Sequence, residues 1–262
     1  MQVIPLGTNG YFPSYGRQTM CLLLTGGERA LLLDAGSGLG RLVEPEVGRL
    51  ADGAAALDIV LSHYHLDHVI GLSYLPAVWR RGPVRIFAPA FPLVDAEPEE
   101  ALERLCSPPW FSSPLSRFPG PVEVVAVREE EFEAAGLPIR AWRQDHPGGS
   151  IGMRVGGDIA YLTDTRADEA VLAEIAGVRL LIHELWFTDE EAARGPAVGH
   201  THLSGLAHLA RLAKPHLILP VHHHPRRSNE EIRRLAAELS VRAGIAAVCA
   251  EEGRPLETGE EA

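Results

Sequence analysis

Lysine is almost missing from this chain. Lys214 stands alone beside plentiful arginine, and Asn and Gln are scarce while Pro is frequent. That bias fits a GC-rich genome or a thermophile. Cysteine is thin as well. Cys21, Cys106 and Cys249 are odd in number and far apart, which excludes a disulfide framework and fits a reducing cytoplasm. Their apolar surroundings read them as buried packing residues. No apolar run approaches the roughly 18 residues a membrane span needs. The start, MQVIPLGTNG, lacks the basic and apolar regions of a signal peptide. The expectation is a cytoplasmic protein without a membrane partner. Positive charge is short too: 24 Lys and Arg face 35 Asp and Glu, a net charge of −11. Wide grip on a phosphate backbone needs a basic face. The balance therefore favours a small-molecule substrate over tRNA or other nucleic acid. Finally, the first 62 residues contain no histidine, although the chain has 12.

The 262 residues suit one domain spanning 1–262, long enough to bury a sizeable core. Apolar runs that read as strands occur at 3–7, 57–63, 84–89, 122–127, 139–144, 178–184 and 216–222. Two further stretches, 21–36 and 150–165, each consist of two apolar runs split by Gly-Gly, a hairpin signal. Helical spacing appears at 38–50, 168–176 and 204–213. Ser228-x-x-Glu231 is a capping box that opens a further helix ending at a glycine. Residues at about 89–120 are rich in Pro, Ser and aromatics, and read as an irregular insertion with one short helix near 98–105. Many strands, two hairpins and interspersed helices imply an α/β sandwich with mixed sheets. Asp34, His63, Asp164, His183 and His222 all sit where apolar runs end. Sites in layered α/β folds gather there.

The densest chemistry is LSHYHLDHVIGL, residues 61–72. His63, His65, Asp67 and His68 share six positions. In an extended segment, residues two apart point to the same side, so His63 and His65 can hold one metal ion. As the chain turns, Asp67 and His68 can face a second. Nitrogen and carboxylate donors suit zinc, and also manganese or iron. Six or seven such donors spread over four loops suggest two divalent ions that share a bridging carboxylate.

His63-x-His65-x-Asp67-His68 resembles the signature of the metallo-β-lactamase superfamily. Gln144-Asp145-His146-Pro147-Gly148-Gly149, Tyr161-Leu162-Thr163-Asp164-Thr165 and Leu219-Pro220-Val221-His222 are similar to its later landmarks and come in its order. The opening Leu6-Gly7-Thr8 and Leu33-Asp34-Ala35-Gly36 also match. The resemblance implies an α/β fold of αββα type, a sandwich of two mixed β-sheets flanked by helices. It implies His63, His65 and His146 on a first metal and Asp67, His68 and His222 on a second, with Asp164 between them. It implies that Asp67 also orients or deprotonates water, and that Asp34 hydrogen-bonds a ligand histidine. His183-Glu184, Gly199-His200-Thr201 and His222-x-x-Pro225-Arg226 resemble the RNase Z and phosphodiesterase branch. That likeness implies that His200 assists the leaving oxygen, with His202 as its rival. No long Gly/Pro-rich basic arm for gripping tRNA is present.

Read alone, His146 is a loop residue and Asp164 a turn; their order in the chain makes them ligands. His222 is preferred to His223 and His224 because it directly ends its apolar run. His183 is either a core histidine or a partner of a ligand. His223 and Arg226 are candidates for supporting the ligands or facing substrate. The expectation is a dinuclear metal-dependent hydrolase, a phosphodiesterase on a small phosphodiester. An ester, thioester or lactone hydrolase is the alternative. A metal-binding sensor without catalysis is the alternative of another class. A homodimer is only the general expectation for soluble proteins.

Overall fold

A computed structural model describes residues 1–193 and 199–256. The first sheet holds β1 (Gln2–Gly7), β2 (Cys21–Thr25), β3 (Arg29–Leu33), β4 (Ala56–Val60), β5 (Val84–Pro89) and β6 (Val122–Val127), in that order across the sheet. The second holds β7 (Glu131–Ala134), β8 (Leu137–Gln144), β9 (Ser150–Val155), β10 (Ile159–Leu162), β11 (Leu180–Glu184) and β12 (Leu217–Val221), again in chain order. Each sheet is mixed. β1 to β3 are antiparallel and β3 to β6 parallel. β7 to β10 are antiparallel and β10 to β12 parallel.

Hydrophobic patterning explains the layers. β4, β11 and β12 are buried at every residue, as expected of parallel strands covered on both faces. Leu22, Leu31, Leu33, Val60, Met153, Tyr161, Ile182 and Leu219 form the core between the two sheets. On the outside of the first sheet, Leu23, Leu32 and Ile59 pack against Leu39, Leu42 and Leu72 of short helices. On the outside of the second, Leu162, Leu181 and Ile218 pack against helices Leu203–Ala213 and Asn229–Ala243. The result is the αββα sandwich that the sequence implies. The chain after the last helix then covers one edge of each sheet. Val248 donates to Ile218 beside β12, while Gly253 and Leu256 donate to Pro5 and Val3 of β1. Covered edges cannot recruit another chain.

Several local expectations need correction. The run 57–63 ends as a strand at Val60, because the amide of Ser62 is taken by Asp34 and its carbonyl by Ile151. The 38–50 stretch is two 3-10 turns and one helical turn, interrupted at Pro45, which has no N–H to give. Strand β7, EFEA, carries too little apolar pattern to be read from sequence. Cys249 is exposed, not packed. Among the described residues no helix is long and apolar enough to cross a membrane.

At the end of the sandwich away from the histidines, Asp58 of β4 is buried and ties the layers together. Arg29 Nε and Arg85 Nε both reach it at 2.9 Å, from the strands on either side. The amide of Ala135, in the β7–β8 turn of the other sheet, donates to it at 2.7 Å. Burial raises the carboxyl pKa, but hydrogen bonds from Arg85, Arg29 and Ala135 outweigh it and hold the group below its ordinary 3.8. A depressed carboxylate pKa contributes stability above the unfolded value, and that stability is lost as pH falls through the folded value. Asp58→Asn is expected to cost about 2–4 kcal/mol at pH 7, discounted because both arginines are partly exposed. The gap to wild type should narrow below about pH 4, the ordinary carboxylate range. Urea unfolding of both proteins at pH 7 and pH 3 checks this; a gap independent of pH would contradict it.

Candidate metal centre

The carboxyl ends of the strands meet at one edge of the sandwich, and the ionisable residues follow them there. Asp34 follows β3, His63 follows β4, His146 follows β8, Asp164 follows β10, and His222 follows β12. Three of these turn sharply. Asp34, Asp164 and His222 have φ of +60°, +49° and +51°. Left-handed backbone costs a non-glycine residue roughly 1–2 kcal/mol. Such strain persists where the surroundings over-determine it, typically at functional sites. Here it turns the chain back at once, so the side chains hang over the sheet ends.

Asp164 stands between two groups of donors. Its Oδ1 lies 3.4 Å from His146 Nε2 and 3.9 Å from His63 Nε2. His65 Nδ1 is 3.1 Å from His146 Nε2. Its Oδ2 lies 3.0 Å from His68 Nε2 and 3.1 Å from His222 Nε2. Asp67 Oδ2 is 3.2 Å from His222 Nε2 and 3.4 Å from His68 Nε2. His63, His65, His146 and Asp164 each offer one ligand atom within 4.8 Å of the others, and so do Asp67, His68 and His222. All seven residues expected from the sequence are brought together.

The donor set fits divalent cations. Burial lowers the pKa of His63 and His65, and takes His146 down to about 4, so their lone pairs are free of protons. Asp67 and Asp164 are held below the ordinary carboxylate range, burial being outweighed by neighbouring histidines. His68 is pushed up, burial being outweighed by Asp67, Asp164 and Asp34. Three carboxylates around one imidazole call for positive charge at this place. His63 Nε2, though buried, has no hydrogen-bond partner, as a metal ligand atom would lack one.

Asp34 aligns the second group from beneath. Its Oδ2 is 2.8 Å from His68 Nδ1 and accepts hydrogen bonds from Ser62 Oγ at 2.8 Å and Tyr161 Oη at 2.5 Å. The amide of Ser62 donates to Oδ1 at 2.6 Å. A proton on His68 Nδ1 leaves Nε2 as the free donor atom, the usual carboxylate–histidine arrangement behind a metal. Gly10 matters for a different reason. A Cβ there would meet the His222 ring at 2.5 Å and the Trp186 ring at 2.6 Å. The next amide, Tyr11 N–H, donates to Asp67 Oδ2 at 2.6 Å.

Beside the cluster lies a second device. Glu184, fully buried, approaches His200 Nδ1 with Oε2 at 2.9 Å and takes the amide of Thr165 with Oε1. Burial raises the pKa of Glu184. Burial lowers that of His200, but the bond to Glu184 outweighs this and the net shift is upward. Trp186 stacks on His200, with ring centroids 4.6 Å apart and planes 13° apart. Tyr11, His65, Asp67, His146, Pro147, Asp164, Trp186, Phe187, His200 and His222 enclose a cleft of about 350 Å³.

Four other candidates lie outside this cleft. His202 is the N-cap of helix Leu203–Ala213 and sits 3.0 Å from Asp189. His183 alternates away from Glu184 along β11; its Nδ1 is 2.9 Å from the Glu184 carbonyl, and burial lowers its pKa to about 4. His223 lines a separate cavity of about 380 Å³ with Arg17 and Glu252. Arg226 does not line the cleft. Sequence reasoning missed Glu184, Trp186, Tyr161, Ser62 and Gly10 as site residues. Only Glu184 carried a signal: in a strand, His183 and Glu184 must face opposite sides.

Asp34→Asn replaces an acceptor for four donor groups by an amide that can accept through one oxygen only. The expected result is a 10- to 100-fold loss of metal affinity, read as metal retained against a chelator. Gly10→Ala is expected to weaken metal retention by about tenfold or more through the displaced His222, with little change in Tm. Retention equal to wild type in either variant would show that these supports are dispensable.

Comparison with known proteins places the chain by family and fold. A family described as "Beta-lactamase superfamily domain" matches residues 29–223. Ribonuclease Z of Nocardia farcinica is 27% identical over 90% of this chain and 92% of its own length. Among solved structures, the metallo-β-lactamase fold protein YhfI from Bacillus subtilis superposes with a TM-score of 0.77 at 21% identity, covering 97% of this chain and 98% of its own. A diphosphatase of the PhnP family gives 0.68 at 18% identity, covering 98% and 97%. With the family matched from β3 to the residue after His222, this chain belongs to the metallo-β-lactamase superfamily.

Proposed function

We propose that this hydrolase cleaves a small phosphodiester with two divalent cations, zinc first among them, held by His63, His65, His146, Asp67, His68, His222 and the shared Asp164. The observation that carries the reading is the Glu184–His200 pair set beside that cluster. Two cations in such a donor set lower the pKa of water and neutralise charge on phosphate oxygens. Asp67 Oδ2 is anchored by the Tyr11 amide, which fixes the carboxylate to orient the attacking water and take its proton. The water oxygen bonds to phosphorus, the bond from phosphorus to the leaving oxygen breaks, and the bonding pair departs with that oxygen. His200, whose Nδ1 is held by Glu184, supplies a proton to it from Nε2. Trp186, flat against His200, fixes the plane of the ring.

Ribonuclease Z and diphosphatase relatives support phosphorus as the centre attacked. Carboxylic ester, thioester or lactone hydrolysis is the rival on the same cations. An imidazole held to protonate an oxygen disfavours the thioester, whose leaving thiolate needs no proton.

The test is hydrolysis of bis(p-nitrophenyl) phosphate by metal-loaded protein. Asp67→Ala is expected to abolish turnover. His200→Ala is expected to lower kcat by about 10²–10⁴ on a diester with an alcohol leaving group. It should cost far less with p-nitrophenolate, which leaves without a proton. No diester turnover from protein holding two ions would overturn the reading, as would an equal His200→Ala effect on both leaving groups.

A further inference from the structure

The cleft has an unusual lining once its ionisable cluster is set aside. What remains is Tyr11, Pro147, Trp186 and Phe187, all apolar or aromatic. Among the described residues no lysine or arginine lines it. Two arginines near it in sequence are paired elsewhere, Arg166 with Asp145 at 2.5 Å and Arg227 with Glu191, and Arg226 is exposed without lining it. Tyr11 is 72% exposed, and the ring contact it makes is with Phe12, edge-on at 5.2 Å. Its amide, not its ring, serves Asp67. The phenol ring is thus largely exposed beside the cleft that Tyr11 lines. Phe12, 45% exposed, extends the same apolar border.

A site for a phosphorylated chain needs cations for the phosphates on either side of the scissile one. The described lining of this cleft offers charge at a single point and flat apolar surface around it. Its volume of about 350 Å³ is at the small end of ligand pockets. We infer that the cleft selects a phosphodiester with one phosphate and one flat ring, an aryl group or a single nucleobase, and that the Tyr11 ring is the specificity-determining surface on which that ring stacks. This rests on the phosphodiester reading for its chemistry, though not for its binding. Aromatic faces hold flat rings without reading their edges, so the inference names a shape class and no particular base.

Binding tests it apart from turnover. Zinc-loaded wild type is titrated calorimetrically with phenylphosphonate and methylphosphonate, which share a head group and differ by the ring. The phenyl compound is expected to bind about tenfold tighter, as expected for one stacked ring. Tyr11→Ala should remove most of that preference and Tyr11→Phe should keep it. Asp67→Ala should weaken both ligands alike and leave their ratio intact. Thymidine 5′-monophosphate and the dinucleotide pTpT should bind within about threefold of each other, because no lysine or arginine among the described lining residues meets the second phosphate. Equal affinity for the two phosphonates overturns the inference. So does a ratio unchanged in Tyr11→Ala, or a pTpT affinity tenfold above the monophosphate. A preserved phenyl preference with no bis(p-nitrophenyl) phosphate turnover would sink the phosphodiester reading and leave the stacking surface standing.

Discussion

The carboxylate of Asp34 is the constraint on which the site depends. It closes the first sheet by taking the Ser62 amide, which ends β4 and releases the chain toward His63. It holds His68 Nδ1 and so decides which nitrogen of that ring faces Asp164. It also accepts the hydroxyl of Tyr161, from β10 of the opposite sheet. One buried group therefore ties sheet to sheet and both to a ligand ring. A buried carboxylate is costly unless its lone pairs are used. Here four hydrogen bonds use them.

From that anchor the rest of the centre follows by strand direction. β3 and β4 run parallel in one sheet, and β10, β11 and β12 run parallel in the other. Their carboxyl ends bring Asp34, His63, Asp164, Glu184 and His222 to one edge. The left-handed turns at Asp34, Asp164 and His222 fold the side chains back over that edge. Asp58 performs a comparable service at the far end, where it joins β3, β4 and β5 to the β7–β8 turn. Two buried aspartates thus pin the sandwich, one beneath the chemistry and one remote from it.

The two histidines proposed in turn for the leaving group show why spacing alone could not choose. His200 and His202 are two residues apart, and either suits the chain order. Structure separates them by partner. His200 meets the buried Glu184 and Trp186 at the cleft, whereas His202 caps a helix and meets Asp189. His222 and His223 divide in the same way, one turned into the cluster and the other lining a separate cavity.

The sequence by itself determined the sandwich, both Gly-Gly hairpins and the capped final helix, because period and turn chemistry are local properties. It also marked His63, His65, Asp67 and His68 as donors by their density, while His146, Asp164 and His222 were legible through the order they share with the family the motif resembles. What only the tertiary structure decided is everything that depends on which residues meet across the sheets. Tyr161 reads as one more apolar strand residue until its hydroxyl is seen at Asp34. Gly10 reads as a loop glycine until the His222 ring is found against it. Glu184 reads as the end of a strand until His200, sixteen residues on, turns back to it. Such pairings carry no periodic signal, since each is fixed by packing between segments that the chain order keeps apart.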